Sequence, residues 1–281
     1  GSQKAAGGQA AAGDRMPAVA VCAVVASAEA ARVAVRAGAT RVYATAEALA
    51  TGSWPADVVP ILDEVCREVD HDRLDPWVRP GEPVAVGNVS ELALAHARGA
   101  LPEVRSCVPV HNESCVVALA QAGAAGIWLS AEMSLEEIEQ LAPSVQVPVG
   151  VTVMGRTRAM TTEHCVLQVA DKCVHACATC KLRAKKTYLR NGSGELYPVR
   201  TDAQGRSRVY AARPLDATPQ IPELVRAGVR RLAVDGTLMD DDELAEAIRR
   251  VSRAIAACKA GIRPSKRMQG CTSGHLFEPI E

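Results

Sequence analysis

Four cysteines fall within residues 165–180, in the run HCVLQVADKCVHACATC, with the spacing Cys165-x7-Cys173-x3-Cys177-x2-Cys180. Thiolates this dense in sequence act as ligands more often than as core residues. Four soft sulfur donors can hold a zinc ion or an iron–sulfur cluster. Structural zinc sites pair two Cys-x2-Cys knuckles across a longer loop, and only one short knuckle occurs here. A cubane cluster accepts uneven local spacing, because its irons present separate corners. The spacing therefore favours a 4Fe-4S cluster, with zinc as the alternative and ordinary free thiols as the third reading.

Residues beside the run add chemistry. Glu163 and His164 precede the first cysteine and can move a proton, or can simply order the loop. Arg156 and Arg158 suit bidentate capture of a carboxylate or phosphate. His175 lies inside the run and is a possible replacement ligand. His111 and Asn88 each follow an expected strand; His111 is a candidate substrate contact, with helix capping as the plainer role. Lys181, Arg183, Lys185, Lys186 and Arg190 form a basic run that fits phosphates or a solvated hairpin edge. Cys22, Cys66, Cys107, Cys115, Cys258 and Cys271 are scattered among apolar neighbours and read as small hydrophobes; Cys22 and Cys107 fall on expected strands and can face a site. The last three of the clustered cysteines also match the radical-SAM triad, but they follow a late strand and Cys165 is at hand to fill the fourth corner.

The elements that must position these groups repeat. Residues 27–45, 112–130 and 219–236 each read as an amphipathic helix, a glycine stop and a β-branched strand, with 90–108 a looser copy. Ser27, Asn112 and Ser134 are expected N-caps, and Ser134 with Glu137 makes a capping box. Strands are expected near 18–25, 41–45, 83–87, 104–109, 126–129, 147–153 and 231–235, with a weaker one near 76–79. Such alternation implies a parallel sheet with right-handed crossovers. Seven or eight strands in 281 residues favour an α/β fold of the (β/α)8 barrel type over residues 16–264. No Gly-x-Gly-x-x-Gly follows the first strand, which lowers the dinucleotide-binding alternative. Residues 156–212 interrupt the repeat: the cysteine loop leads into a β-hairpin or three-stranded meander after the penultimate strand, where barrel active sites are built.

Composition sets the outer bounds. Lys plus Arg equals Asp plus Glu at 32 each, so no global basic excess marks a nucleic-acid binder. With one Phe, three Trp and four Tyr, the core must be Val, Ala, Leu and Ile. No stretch reaches the roughly 18 apolar residues of a membrane span. Clustered thiols without a secretory signal point to a reducing cytoplasm. Residues 1–15 read as a disordered leader or tag, the Gly-Ser start hints at an excised domain, and residues 265–281 form a tail without periodicity.

MGRTRAMTTEHCVL, CVHACATCKLR, YLRNGSGELYPVRTD, GRSRVYAARPLD and the closing SGHLF together resemble the C-terminal half of the U32 family. That family is named for peptidase or collagenase-like activity. The likeness covers roughly residues 104–281 and is greatest to the last module of long members, so other domains of a longer chain are expected partners. It implies a β/α barrel whose Cys165, Cys173, Cys177 and Cys180 hold an iron–sulfur cluster. It also implies oxygen-independent hydroxylation of RNA bases or of a small aromatic substrate, with prephenate as hydroxyl donor in the RNA-modifying members. On this likeness Arg156 and Arg158 lie where a carboxylate donor or an RNA phosphate would be held. The first strand ends Val24-Val25-Ala26-Ser27 instead of the family's Leu-Ala-Pro-Ala-Gly pattern, and the family's Glu before the first cysteine strand is absent from VGVTVMGR. A non-catalytic cluster or zinc module therefore stays open beside the enzyme. The peptidase alternative lacks a recognisable serine, cysteine–histidine or HExxH arrangement.

Overall fold

A computed structural model describes residues 18–169, 171, 173 and 175–277. The expected leader, 1–15, and the last four residues of the tail lie outside these. Thirteen strands follow in chain order among the described residues. The first seven are β1 (Ala20–Val25), β2 (Arg41–Thr45), β3 (Val59–Ile61), β4 (Pro83–Val86), β5 (Leu101–Val104), β6 (Gly126–Trp128) and β7 (Val149–Gly155). Then come β8 (Arg158–Thr162), β9 (Thr187–Arg190), β10 (Leu196–Thr201), β11 (Ser207–Tyr210), β12 (Leu215–Asp216) and β13 (Arg231–Asp235). The helices are α1 (Ala28–Ala37), α2 (Ala46–Leu49), α3 (His71–Leu74), α4 (Val89–Ala97), α5 (Glu113–Gln121), α6 (Leu135–Leu141), α7 (Val166–Val169), α8 (Ile221–Arg226) and α9 (Asp241–Lys259).

Strands β1 to β7 and β13 close into a ring of eight parallel strands, with β13 between β7 and β1. The local signals that build it are physical. Ser27 accepts the Ala30 N–H at 3.1 Å and starts α1. Gly38, at φ 108°, turns the chain left-handed and returns its N–H to the end of the helix. Asn88, Asn112 and Ser134 cap α4, α5 and α6 in the same way. Two expectations need correction. Residues Asp75–Trp77 form a 3-10 turn, and the third strand is Val59–Ile61 instead. A three-residue strand with a central proline carries no readable period. The fifth strand is Leu101–Val104 and not 104–109, because Leu101 must lie level with Pro83 of β4. His111 is therefore not at a strand end; it sits exposed just before α5.

The inserted segment is also one strand richer than a meander. β8, β11, β10 and β9 form a four-stranded antiparallel sheet. Beyond the point where β6 ends, β12 takes over the same edge of β7 in antiparallel sense. No helix among the described residues is long and apolar enough to cross a membrane.

Two cores result. Val, Leu, Ile and Ala fill the layer between the ring and its helices. Inside the ring, Cys22, Tyr43, Val59, Ile61, Ala85, Trp128 and Ala233 pack together. Gly150 makes room there: a Cβ at this position would lie 2.4 Å from Trp128 Cε3. The interior also holds the buried carboxylate of Glu103. It accepts from Tyr43 Oη at 2.8 Å and Trp128 Nε1 at 3.3 Å, and pairs with Arg41 and, at 2.8 Å, Arg231.

The second sheet is fixed to the ring by charge. Arg206 is only 1% exposed. Its Nη1 meets Asp63 at 3.0 Å, its Nη2 meets Asp70 at 2.6 Å and its Nε faces Glu163 at 3.4 Å. Removing one partner of a buried ion pair strands the other without water. Arg206→Ala is expected to cost about 3–5 kcal/mol in urea unfolding. An effect below about 1 kcal/mol would show that this network does not hold the sheet in place.

Candidate functional site

The C-terminal ends of the barrel strands open into a cavity of about 930 Å3. Tyr43, Ile61, Ala85 and Trp128 form its apolar floor, with the two aromatic rings perpendicular and 5.6 Å apart. Residues 157–161 of the second sheet, with Arg208 and Tyr210, form one wall. Thr272, Gly274 and His275 of the tail form another. Asp216, fully buried, straps that tail in place: its carboxylate accepts from Arg250 at 2.9 Å and from the Met268 N–H at 2.8 Å.

Glu64 is the electrostatic centre of the mouth. It accepts from Thr161 Oγ1 at 2.7 Å, Arg158 at 3.0 Å, Arg208 at 3.2 Å and Arg105 at 3.3 Å. Burial opposes its charge, but Arg105, Arg158, Arg208 and Thr161 outweigh burial and hold the carboxyl well below the usual carboxylate range. Asp235 lies in the same cavity, and there burial wins over its Thr237 hydrogen bonds and raises the carboxyl. Burial, with Asp235 nearby, pushes the Tyr210 hydroxyl up to about 12.

The four clustered cysteines border one small second pocket with His175, Arg183, Asp202 and Gly205. Left-handed backbone at His175, φ 52°, brings its N–H within 3.3 Å of Cys173 Sγ. At Gly205, φ 82°, an added Cβ would lie 3.3 Å from Cys177 Sγ, so the turn fits closely against the thiol. Glu47 of α2 ties the two sides of this pocket to the barrel, pairing with Arg183 at 3.3 Å and accepting the Ala203 N–H at 3.1 Å. Among the described residues, no three Cys, His, Asp or Glu side chains gather closely enough to ligate one metal ion. Pocket and barrel mouth share a wall: Asp202 borders the pocket, and its partner at 2.9 Å, Arg208, borders the mouth.

The other candidate residues are dispersed. Arg158 reaches the mouth, but Arg156 donates to the carbonyls of Ala211, at 2.8 Å, and Ala212. Glu163 turns to Arg206 and to Arg67, at 3.5 Å, while His164 is exposed. Asn88 caps α4. Cys22 lies inside the ring, where burial pushes its thiol up to about 12, and Cys107 borders the mouth. Burial likewise raises Cys66, to about 11, and Cys271. Cys115 points to the Pro109 carbonyl at 3.6 Å, and Cys258 is half-buried. Sequence reasoning missed Glu64, Arg105, Arg208, Arg213 and Asp235. The one available signal was position: Asp235 is the last residue of β13, a strand that the sequence marked.

The model of peptidase family U32 matches residues 98–273. No curated protein matches the chain. Among solved structures, a native KDPGal structure is 10% identical, with a TM-score of 0.48 over 85% of this chain and 95% of that one. Thiamine phosphate pyrophosphorylase from Pyrococcus furiosus is 11% identical, with 0.44 over 85% and 96%. The YdjI aldolase from Escherichia coli K12 is 8% identical, with 0.44 over 89% and 94%. Likenesses this distant carry no argument about activity.

Glu91 of α4 fastens the rim. It is 4% exposed, its Oε2 accepts the Gly87 N–H at 3.0 Å, and its Oε1 has no partner among the described residues. Burial pushes its carboxyl up to about 7, against the Gly87 hydrogen bond. The folded chain therefore keeps a proton that the unfolded chain loses near pH 4.5, and stability falls as pH rises from there to about 7. Glu91→Gln should remove that loss, of about 3 kcal/mol. Parallel unfolding curves of the two proteins across this window would refute it.

Proposed function

The chain belongs to peptidase family U32, and we propose that it is an iron–sulfur enzyme of oxygen-independent hydroxylation. One observation carries the reading: four thiols border a single pocket that the Asp202–Arg208 pair links to the barrel mouth. In this reading Cys165, Cys173, Cys177 and Cys180 hold a 4Fe-4S cluster. The donor set suits one, since four sulfurs face one space and the backbone adds an N–H to Cys173. A zinc ion held by the same four sulfurs is the alternative metal. When bound, the cluster supplies one-electron transfer beside the mouth.

The chain's own residues do the rest. Tyr43 and Trp128 offer a flat apolar floor, and the arginine-rich wall favours a carboxylate such as that of prephenate, the donor implied by the family resemblance. Asp235 holds a proton to higher pH than an exposed carboxyl and is the best-placed acid. Glu163 is engaged with Arg206 and Arg67 and serves the sheet contact instead. The acceptor is an RNA base or a small aromatic compound. The hairpin β9–β10 favours RNA, because Lys185 and Lys186 stand exposed just before it and Arg190 stands exposed on it, beside an exposed Tyr188. Basic residues take phosphates and aromatic rings stack on bases. Free thiols in this number suit a cytoplasmic setting. The runner-up is a non-catalytic cluster or zinc module serving another domain; the peptidase reading rests on the family's name alone.

Anaerobic purification should give a brown protein with about four irons per chain. Cys177→Ser should lose most of the iron and the colour. A colourless wild-type protein with one zinc would sink the cluster. Lys185→Glu with Lys186→Glu should weaken binding of a single-stranded RNA about tenfold at low salt and flatten the salt dependence. Unchanged RNA affinity would leave the small aromatic acceptor.

A further inference from the structure

The mouth holds four arginines, and their partners differ. Arg105 donates to the Leu62 carbonyl and to Glu64, both at 3.3 Å. Arg158 is paired with Glu64, and Arg208 is shared among Glu64, Asp202 and Asp63. A guanidinium already facing a carboxylate offers a ligand little free charge. Arg213 is the exception. It borders the same cavity, is exposed, and has no ion pair or hydrogen bond among the described residues. Its place is fixed by β12, which it nearly adjoins, and by the bridge from Leu215 to Thr272 of the tail.

From this pattern we infer that Arg213 is the anion-binding residue of the barrel mouth. It takes the carboxylate of a small organic acid whose flat apolar part lies toward Tyr43 and Trp128. The chemistry is that of a planar fork with free donors, matched to a carboxylate and left uncompensated until one arrives. A floor of two aromatic rings and two aliphatic side chains selects the rest of the ligand. The inference deepens the proposed hydroxylation by naming the residue that receives the acid, and rests on that reading only for what the acid then does. It moves the binding role away from Arg156, which the carbonyls of Ala211 and Ala212 occupy.

Titration calorimetry of the full chain with phenylacetate, and with its neutral isostere phenylacetamide, tests it. Phenylacetate should bind more tightly than phenylacetamide. Arg213→Gln should weaken phenylacetate about tenfold and bring it level with the amide, a loss typical of one charge-assisted contact. Arg213→Lys should fall between, and Arg156→Gln should leave the ratio of the two ligands unchanged. Equal binding of acid and amide by the wild-type chain overturns the inference, as does undiminished acid binding by Arg213→Gln. So does an Arg213→Gln variant that loses single-stranded RNA but keeps the acid, which would make Arg213 a phosphate contact. Zinc in place of iron would end the hydroxylase reading and leave this titration untouched.

Discussion

Everything near the cavity depends on two arginines of one short segment. Arg206 and Arg208 are two positions apart, so an extended backbone sends both to the same face. That face meets Asp63 and Glu64, two and three residues past the end of β3, and Asp70 just beyond. Buried charges are tolerated only when their partners are complete. Here the partners come from parts of the chain about 140 residues apart, as the Arg206–Asp63 bond shows with a separation of 143. The second sheet has fewer apolar means of choosing its seat, since β9 is largely exposed and Val199 is the one buried residue of β10. Ion pairing therefore specifies the geometry that apolar contact leaves undetermined.

The two ends of the barrel divide the work. Toward the strand starts, Glu103 with Arg41 and Arg231 forms a closed polar knot under the aromatic pair. Toward the strand ends, polar groups face open space, and one guanidinium there lacks a partner among the described residues. Barrels of this kind commonly keep stability at one face and chemistry at the other. The glycine at 150 belongs to the first task, because the indole of Trp128 occupies the space a side chain would need.

How much of this could be read in the chain beforehand follows from the range of the forces involved. Caps and glycine stops act within a few residues, so α1, α5 and α6 and the strands β1, β2, β6, β7 and β13 were legible. Val59–Ile61 was not, because three residues fix no period and the strand exists only through its neighbours Tyr43 and Ala85. The cysteine run was visible because its residues are close in sequence as well as in space. The arginine pair at 156 and 158 misled, since sequence cannot show that one guanidinium will meet carbonyls and the other a carboxylate from residue 64. Glu64 itself has nothing in its surroundings in sequence to distinguish it from a surface acid.

The knot around Glu103 has a reach beyond its own contacts. Two guanidiniums against one carboxylate leave an excess of one positive charge just beneath the floor of the mouth. The apolar ring around it screens that charge poorly, whereas water screens the opposite end. Part of its field therefore reaches the cavity through the thin apolar layer of Tyr43 and Trp128. That charge offsets part of the negative field of Asp63, Glu64 and Asp235, so the mouth is less hostile to an anion than its carboxylates alone would make it.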